Sequence, residues 1–538
     1  KVAACLGLSL DGPLLLRAAE RYARLASDSR TAEAWIRELV DCEILELDRP
    51  PPSPVYRFRH DLLREAVLQS LPASVRRGIH RSIARTLRED FSERVESAPE
   101  ILAEHLMGAD VPEEALPLFV RAGERAEGVG AYEIALSHYG RALDLLAGEH
   151  GGPDAPATAI RILRRMIRIA LYVWGHGSSR IDALLGKLSD LAERGTPEGR
   201  KTFDHLLDAV RFGIRGPTFL IERFGEPEAL DRAAGGSGGT RLWLACMRGI
   251  AFSYNGQLSR AYDTFQDLLP QIRSIRWDGE GIVESFSEPP AVLLFSYLGF
   301  VGQLAGRTKE SLAFLAEGEG REECGRFPKS RVYVGVHKIF MAWMREDVEK
   351  AEMFARETVL LADAHDLHMG AELSRLALAW CRGTKESEAQ AEAAEKAVRA
   401  MIPGVGTIYI AIHAGAAFRA ALWEKAVELA RFGRDEGRRT GTHVFDPHLL
   451  TLEGRALLAM DSRKNREEAR ALFEDAIRKA RRSGALWYGI QAAMALAVIE
   501  PTGRKLLRGF LASLPEEEDS EMVRVAREVA RETHPPEP

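Results

Sequence analysis

The feature that most constrains the fold is a recurring set of small residues placed a fixed distance ahead of a large one. Phe119, Ala122, Gly123 and Ala126 fall three or four positions apart, Gly130 interrupts them, and Tyr132, Ala135, Tyr139 and Ala142 resume the spacing. Each set therefore lies on one face of a helix, and the glycine marks the turn between two helices. Small residues let the pair cross closely, while large ones fill the gap to the next pair. Gly249, Phe252, Gly256, Leu258, Ala261 and Phe265 repeat the offsets, and Leu298, Gly299, Gly306, Ser311 and Leu315 do so more weakly. Further pairs are expected near 332–364, 370–400, 408–437 and 447–482, with Ala351, Trp423, Ala426, Ala469 and Phe473 at comparable places.

The clearest pair resembles the TPR consensus, although the intervals drift away from the 34 residues of a regular TPR array. The expected fold is thus mainly α, an α-solenoid of stacked helix pairs. Ala485–Ile499 reads as a penultimate helix. Glu516–Glu521 and the terminal Pro535–Pro538 read as exposed tail. Gly148–Pro156 and Ala233–Thr240 read as flexible breaks, and 275–290 as a longer loop suited to partner contact.

Composition agrees with a folded α protein: 46% hydrophobic, 28% charged and 7% aromatic residues. A net charge of −6 gives no general attraction to nucleic acid or acidic lipid. Cys5, Cys42, Cys246, Cys324 and Cys381 are scattered and odd in number, which suits a reducing cytosol better than a disulfide framework. The longest apolar stretch, Ala291–Ala305, is shorter than the ~20 residues of a membrane helix. Beginning at Lys1 without Met or signal-peptide pattern, the sequence reads as a piece of a longer polypeptide.

The first hundred residues have another character. Leu14–Leu25 and Ala32–Val40 carry helical periodicity, Cys42–Asp48 alternates like a strand, and Pro50–Pro54 forces a turn. Val55–Phe58 alternates again, and a helix is expected over 62–71 with Asp61 as its N-cap. Helix, helix, strand, wing, strand is a winged-helix layout. A further helix, Val75–Glu89, sets Arg76, Arg77 and Arg81 against an apolar stripe. These arginines are candidates for phosphate or DNA contact, with a solvated flank as the simpler reading.

Tyr56–Ala66 and Arg77–Ala84 resemble the winged-helix end of STAND-type regulatory ATPases. That family includes MalT-like activators, ATPase modules fused to adenylate cyclases or kinases, and plant NB-ARC proteins. His60 and Asp61 match the His-Asp of the NB-ARC Met-His-Asp motif, and Arg59 stands in place of the Met. The resemblance implies that His60 contacts a nucleotide phosphate held by an upstream domain, with Asp61 at the hinge. It also implies ADP or ATP as cofactor of that domain, and a protein or small-molecule ligand on the concave face of the array. Ligand-induced oligomerisation would follow.

The chain itself shows no G-x-x-x-x-G-K-[ST], so no ATPase activity is expected from it alone. Gly235–Gly239 spells G-x-S-x-G around Ser237, but the preceding residues 228–232 read as helix rather than the strand that a nucleophile elbow needs. Gly175-His176-Gly177 and Gly404-Val405-Gly406 lack a strand-to-helix context. His365, His368 and Glu372 would share one helix face and form a weak metal candidate lacking a fourth ligand.

The expected organisation is a winged-helix-like domain over 1–95, first helix pairs over 96–147, a sensor arm over 148–500, and a capping helix with acidic and proline-rich tail over 501–538. The leading expectation is a non-catalytic, cytoplasmic signal-sensing and protein–protein interaction module. The alternatives are a winged-helix DNA-binding regulator with a TPR-like effector domain, a free-standing TPR scaffold, and, most weakly, a hydrolase built on Ser237. Nucleic acid and membrane are not expected as partners.

Overall fold

A computed structural model describes residues 1–26, 31–148, 154–194, 197–234, 238–274, 288–515, 518 and 520–531. The chain divides into two compact units, Lys1–Ile162 and Leu163–Pro538. The array is a mainly α solenoid, as its periodicity requires. Ser237, most of the 275–290 loop, the middle of Gly148–Pro156 and the terminal prolines lie outside the described residues.

The first unit opens with α1 (Val2–Leu6), β1 (Ser9–Asp11), α2 (Gly12–Ala26), α3 (Ala32–Asp41), β2 (Leu45–Arg49) and β3 (Val55–Phe58). The strands form an antiparallel sheet in the order β1-β3-β2, with Tyr56 opposite both Leu10 and Leu47. Six helices follow: α4 (Asp61–Ser70), α5 (Ala73–Asp90), α6 (Ser92–Ser97), α7 (Pro99–Gly108), α8 (Pro112–Gly128) and α9 (Tyr132–Ala147). α2 packs on α5, burying Leu14, Leu15 and Ala18 together with Ile79, Ile83 and Leu87. Asp61 is not the N-cap of α4. His60 holds that position in extended backbone and makes no side-chain cap bond, so Asp61 is the first helical residue. There its carboxylate favours the positive end of the helix dipole.

The helix α10 (Ala155–Val173) crosses into the second unit, followed by α11 (Ser179–Arg194), α12 (Pro197–Arg215), α13 (Pro217–Phe224), α14 (Pro227–Ala234), α15 (Gly238–Asn255) and α16 (Leu258–Ser274). Helices α14 and α15 reach into the expected 233–240 break and leave only three residues between them. Next come α17 (Pro290–Leu304), α18 (Thr308–Glu319), α19 (Glu322–Arg326), α20 (Pro328–Met344), α21 (Val348–Ala364), α22 (His368–Arg382) and α23 (Lys385–Met401). The chain ends with α24 (Thr407–Arg419), α25 (Trp423–Thr440), α26 (Asp446–Ala459), α27 (Arg463–Ser483), α28 (Leu486–Ile499), α29 (Pro501–Leu511) and α30 (Glu521–Arg531). The apolar helix expected to be penultimate is therefore third from the end.

Turns within the pairs share one construction. After α15, Gly256 takes φ 84° and the Gln257 N–H donates back to the Phe252 carbonyl at 2.9 Å. After α17, Gly306 takes φ 79° and Arg307 N–H reaches Gly302 O at 2.8 Å. This left-handed residue with a six-to-one bond satisfies carbonyls that the helix end leaves open. After α24 the same position is Ala421, with φ 57° and Leu422 N–H on Ala417 O at 2.9 Å. A left-handed alanine costs about 1–2 kcal/mol, and Ala421 is exposed. Ala421→Gly is expected to stabilise the chain by about 0.5–1 kcal/mol after the added unfolded-state entropy of glycine, read as a raised urea midpoint with unchanged slope.

Packing of the second unit closes the solenoid on itself. The loop between α25 and α26 docks on the end of α15: Val444 N–H donates to Tyr254 O at 3.1 Å, and Asn255 Nδ2 to Gly441 O at 2.8 Å. Phe445 enters between Phe300 of α17 and Trp343 of α20, with ring centroids 6.3 and 6.2 Å away. Gln491 of α28 donates to the Met344 carbonyl at 3.2 Å. Every residue of α17 is buried, and α24, α26 and α28 are buried over most of their length. A helix that is apolar all round is a core helix. The inner face is thus covered by the array's own later turns, and a partly open cavity remains within it.

Candidate ligand site

This cavity, about 120 Å³, lies inside the second unit. Its walls come from α10, α12, α15, α17, α20 and α22, with Ile402 and the turn after α10 closing it. Trp243, Leu293, Tyr297, Leu206 and Phe212 form a buried floor, while Tyr172, His176, Tyr333 and Met369 are partly exposed at the rim. Among the described residues, Arg168, only 5% exposed, is the charged residue of the wall.

Local sequence explains how these groups converge. α10 ends at a Gly175 turn whose His176 N–H donates to Met401 O at 2.7 Å, which points the following segment back toward α23. Gly175 and Gly404 are both sites of close backbone approach, against Met401 and against Gly216 respectively, so these two glycine motifs serve packing. An aromatic group continues from the floor: Tyr297 meets Tyr254 at 6.1 Å and His337 at 5.2 Å, and His337 meets Tyr333 at 4.6 Å. Burial holds the Tyr297 and Tyr333 phenols well above their ordinary range, so both stay neutral. Burial pushes His176 down to about 4, and its Nδ1 has no hydrogen-bond partner among the described residues. Among the described residues, the cavity is lined by the Arg168 guanidinium, neutral phenols and a neutral imidazole on an aromatic and aliphatic surface.

The residues singled out from sequence lie elsewhere. His60 and Asp61 are exposed beside a shallow cleft lined by Leu8, Glu46, Asp48, Arg57 and Leu62. Arg57 is taken by Glu46, and Arg59 pairs with Glu43 at 2.5 Å. α4 buries none of its residues, and Leu62 is 78% exposed. Of the candidate phosphate-contacting arginines, Arg77 pairs with Asp110 at 3.6 Å and Arg81 donates to Ala109 O at 3.4 Å. Both lie against the end of α7, while Arg76 is exposed on the same helix.

His365, His368 and Glu372 do not share one helix face. α21 ends at Ala364, Asp366 turns left-handed, and α22 starts at His368. Glu372 pairs instead with Arg375 at 2.6 Å. Among the described residues, the metal-compatible group is Glu388 and Glu392 of α23 with His413 of α24, all ligand atoms lying within 4.8 Å. Lys425 already sits there, 2.5 Å from Glu388 and 2.7 Å from Glu392, and His413 Nε2 is 2.9 Å from Glu388. An ammonium ion occupies the place that a metal would take. Burial pushes the Glu388 carboxyl up, but the Lys425 and His413 hydrogen bonds outweigh it and hold it below the usual range. Lys396 and then Lys425 bring Glu392 down to about 2. Spacings of 25 and 37 residues between these partners gave no local motif.

Buried imidazoles set the acid response of the fold. His105, His176 and His337 are each pushed down to about 4 by burial, from an ordinary 6.5. The unfolded chain takes up these protons near pH 6.5, the folded chain only near pH 4, so stability is complete above the first value and lost as pH falls toward the second. Each ring contributes on the order of 1–3 kcal/mol to that loss. Thermal melts are expected to shift down by about 3–8 °C between pH 7 and pH 4.5, and His337→Gln should flatten this dependence.

No family model matches the chain. An uncharacterized protein of Rhizobium meliloti (strain 1021) is 27% identical over 146 residues, which span 27% of this chain and 14% of that protein. Among solved structures, the Cut9 and Hcn1 assembly of the APC/C is similar at 11% identity, covering 96% of this chain and 98% of that one with a TM-score of 0.43. Rap protein complexed with Competence and Sporulation Factor matches 67% of this chain and 99% of its own, at 12% identity and TM-score 0.41. A STAND protein with a tetratricopeptide repeat sensor from Pyrococcus horikoshii matches 92% of this chain and 72% of its own, at 13% identity and TM-score 0.31.

Proposed function

We propose that the chain is the sensing arm of a STAND-type signalling protein: a winged-helix-like N-terminal part joined to a TPR-like array that binds a ligand. The observation that carries this reading is the partly open cavity, where an aromatic and aliphatic lining is joined by neutral phenols and an imidazole. Such a lining orients a small ligand and excludes water. The topology of α1 to β3, with β1-β3-β2 pairing, fits a winged helix, and the proline-rich turn 50–54 fits its wing. His60 is exposed beside exposed Leu62, and its proposed role is to contact the phosphate of ADP bound by another domain. Occupancy of the cavity would stabilise one state of the array and so bias the nucleotide switch, an effect limited by the ligand's differential affinity for the two states.

The test is the reading frame upstream of Lys1. The proposal expects it to encode a nucleotide-binding domain with a G-x-x-x-x-G-K-[ST] segment. A stop codon and start site with nothing between them and Lys1 would overturn the STAND assignment and leave a free-standing array.

A further inference from the structure

The cavity has room for one ring. An apolar cavity of about 150 Å³ accepts benzene, and this one, at about 120 Å³, is open at its rim, so a substituent can project from it. Phe212, Trp243, Tyr297 and Tyr333 present rings to the space. Aromatic pairs gain beyond simple area burial, which favours an aromatic occupant. The polar part of the lining calls for a neutral one. Burial keeps the Tyr297 and Tyr333 phenols protonated. Arg168 is already engaged within the protein, so its charge is not held in reserve for a ligand. A charged occupant would lose its hydration here without a dedicated counter-charge among the described residues. At the rim, His176 Nδ1 has no hydrogen-bond partner among those residues. A neutral imidazole carries one donor and one acceptor, and a hydroxyl can serve either.

We infer that the cavity binds an uncharged single-ring phenol, with the ring against Trp243 and Tyr297 and the hydroxyl at His176. The inference rests on the reading of the second unit as a sensor and names the chemical class of its signal. The floor supplies affinity without direction, since the burial of apolar area is non-directional. The imidazole supplies the direction, because a hydroxyl turned toward it satisfies a ring nitrogen that is otherwise left without a hydrogen bond.

Titration calorimetry of the whole chain at neutral pH against phenol, toluene and sodium benzoate tests the inference. Toluene replaces the hydroxyl by a methyl of similar size, and benzoate carries a charge. Phenol is expected to bind about five- to tenfold more tightly than toluene, the worth of one well-placed hydrogen bond, and more tightly than benzoate. His176→Phe, which keeps a flat ring without its nitrogens, should bring phenol down to the level of toluene. Ala209→Phe, which puts a ring into the space, should abolish binding of both. If either variant does not fold, the three compounds on the unaltered chain still decide. Toluene binding as tightly as phenol would overturn the hydroxyl assignment, and benzoate binding more tightly than phenol would overturn the neutral one. Undiminished phenol binding by a folded Ala209→Phe chain would overturn the inference by placing the site elsewhere. Binding of none of the compounds would overturn it outright and leave the sensor reading to its own test in the upstream frame.

Discussion

Gly249→Val is expected to lower the melting temperature of the second unit by about 4 °C, a loss of about 3 kcal/mol. A Cβ at Gly249 would sit 2.5 Å from the Phe265 ring, closer than real side chains approach. Phe265 is 1% exposed and has no space into which to turn. The helices α15 and α16 must therefore move apart, and each of their neighbours with them. Gly123 against Tyr139, Gly454 against Phe473 and Gly489 against Phe510 repeat the arrangement, so the expectation extends to each crossing. Gly186→Ala is the control, because nothing lies within 4 Å of its added methyl. It should stabilise α11 by up to about 1 kcal/mol through helix propensity alone. A Gly249→Val chain melting with the parent would show that the crossing is looser than the geometry requires.

Phe445→Ala is expected to cost about 3–5 kcal/mol, the range for a large aromatic side chain removed from a filled core. The ring is fully buried. What it touches matters more than the area: Phe300 and Trp343 lie more than a hundred residues earlier, so their contacts hold one turn of the superhelix on another. Loss of the ring should weaken that closure and let apolar dyes reach α17 and α20, in addition to lowering the denaturant midpoint. Leu360→Ala, at a side chain 73% exposed, should change stability by less than about 0.5 kcal/mol. Equal effects from the two substitutions would contradict a closed interior.

The helix pairs were readable because their signal is local. Residues such as Ala122, Gly123 and Tyr139 sit within one pair, and the 3.6-residue period with a glycine turn specifies them. β3 was readable for the same reason, being bounded by prolines and by a helix start. β1 was not, since Ser9-Leu10-Asp11 contains one buried residue and no alternation to read. The His365–Glu372 face failed because a left-handed Asp366 divides what looks like one helix, and left-handed aspartates leave no strong mark in sequence. The cavity was invisible for a deeper reason. Arg168, Trp243, Tyr297 and Tyr333 come from separate helices and His176 from the turn after α10, and their convergence depends on closure between turns, which is set by long-range packing. One hint existed: Arg168 lies in the otherwise apolar run Ile167–Val173, where a charge needs a reason.

The closure itself is the claim on which the rest depends, because an open array would present a groove rather than a cavity. Hydrogen exchange at the Val444 amide tests it most directly, since that N–H donates to Tyr254 O across 190 residues of chain. A closed solenoid predicts protection of the 441–446 segment comparable to that of the flanking helices, with exchange over minutes to hours. Exchange of that segment within seconds, at the rate of an unprotected loop while α25 and α26 stay protected, would contradict it.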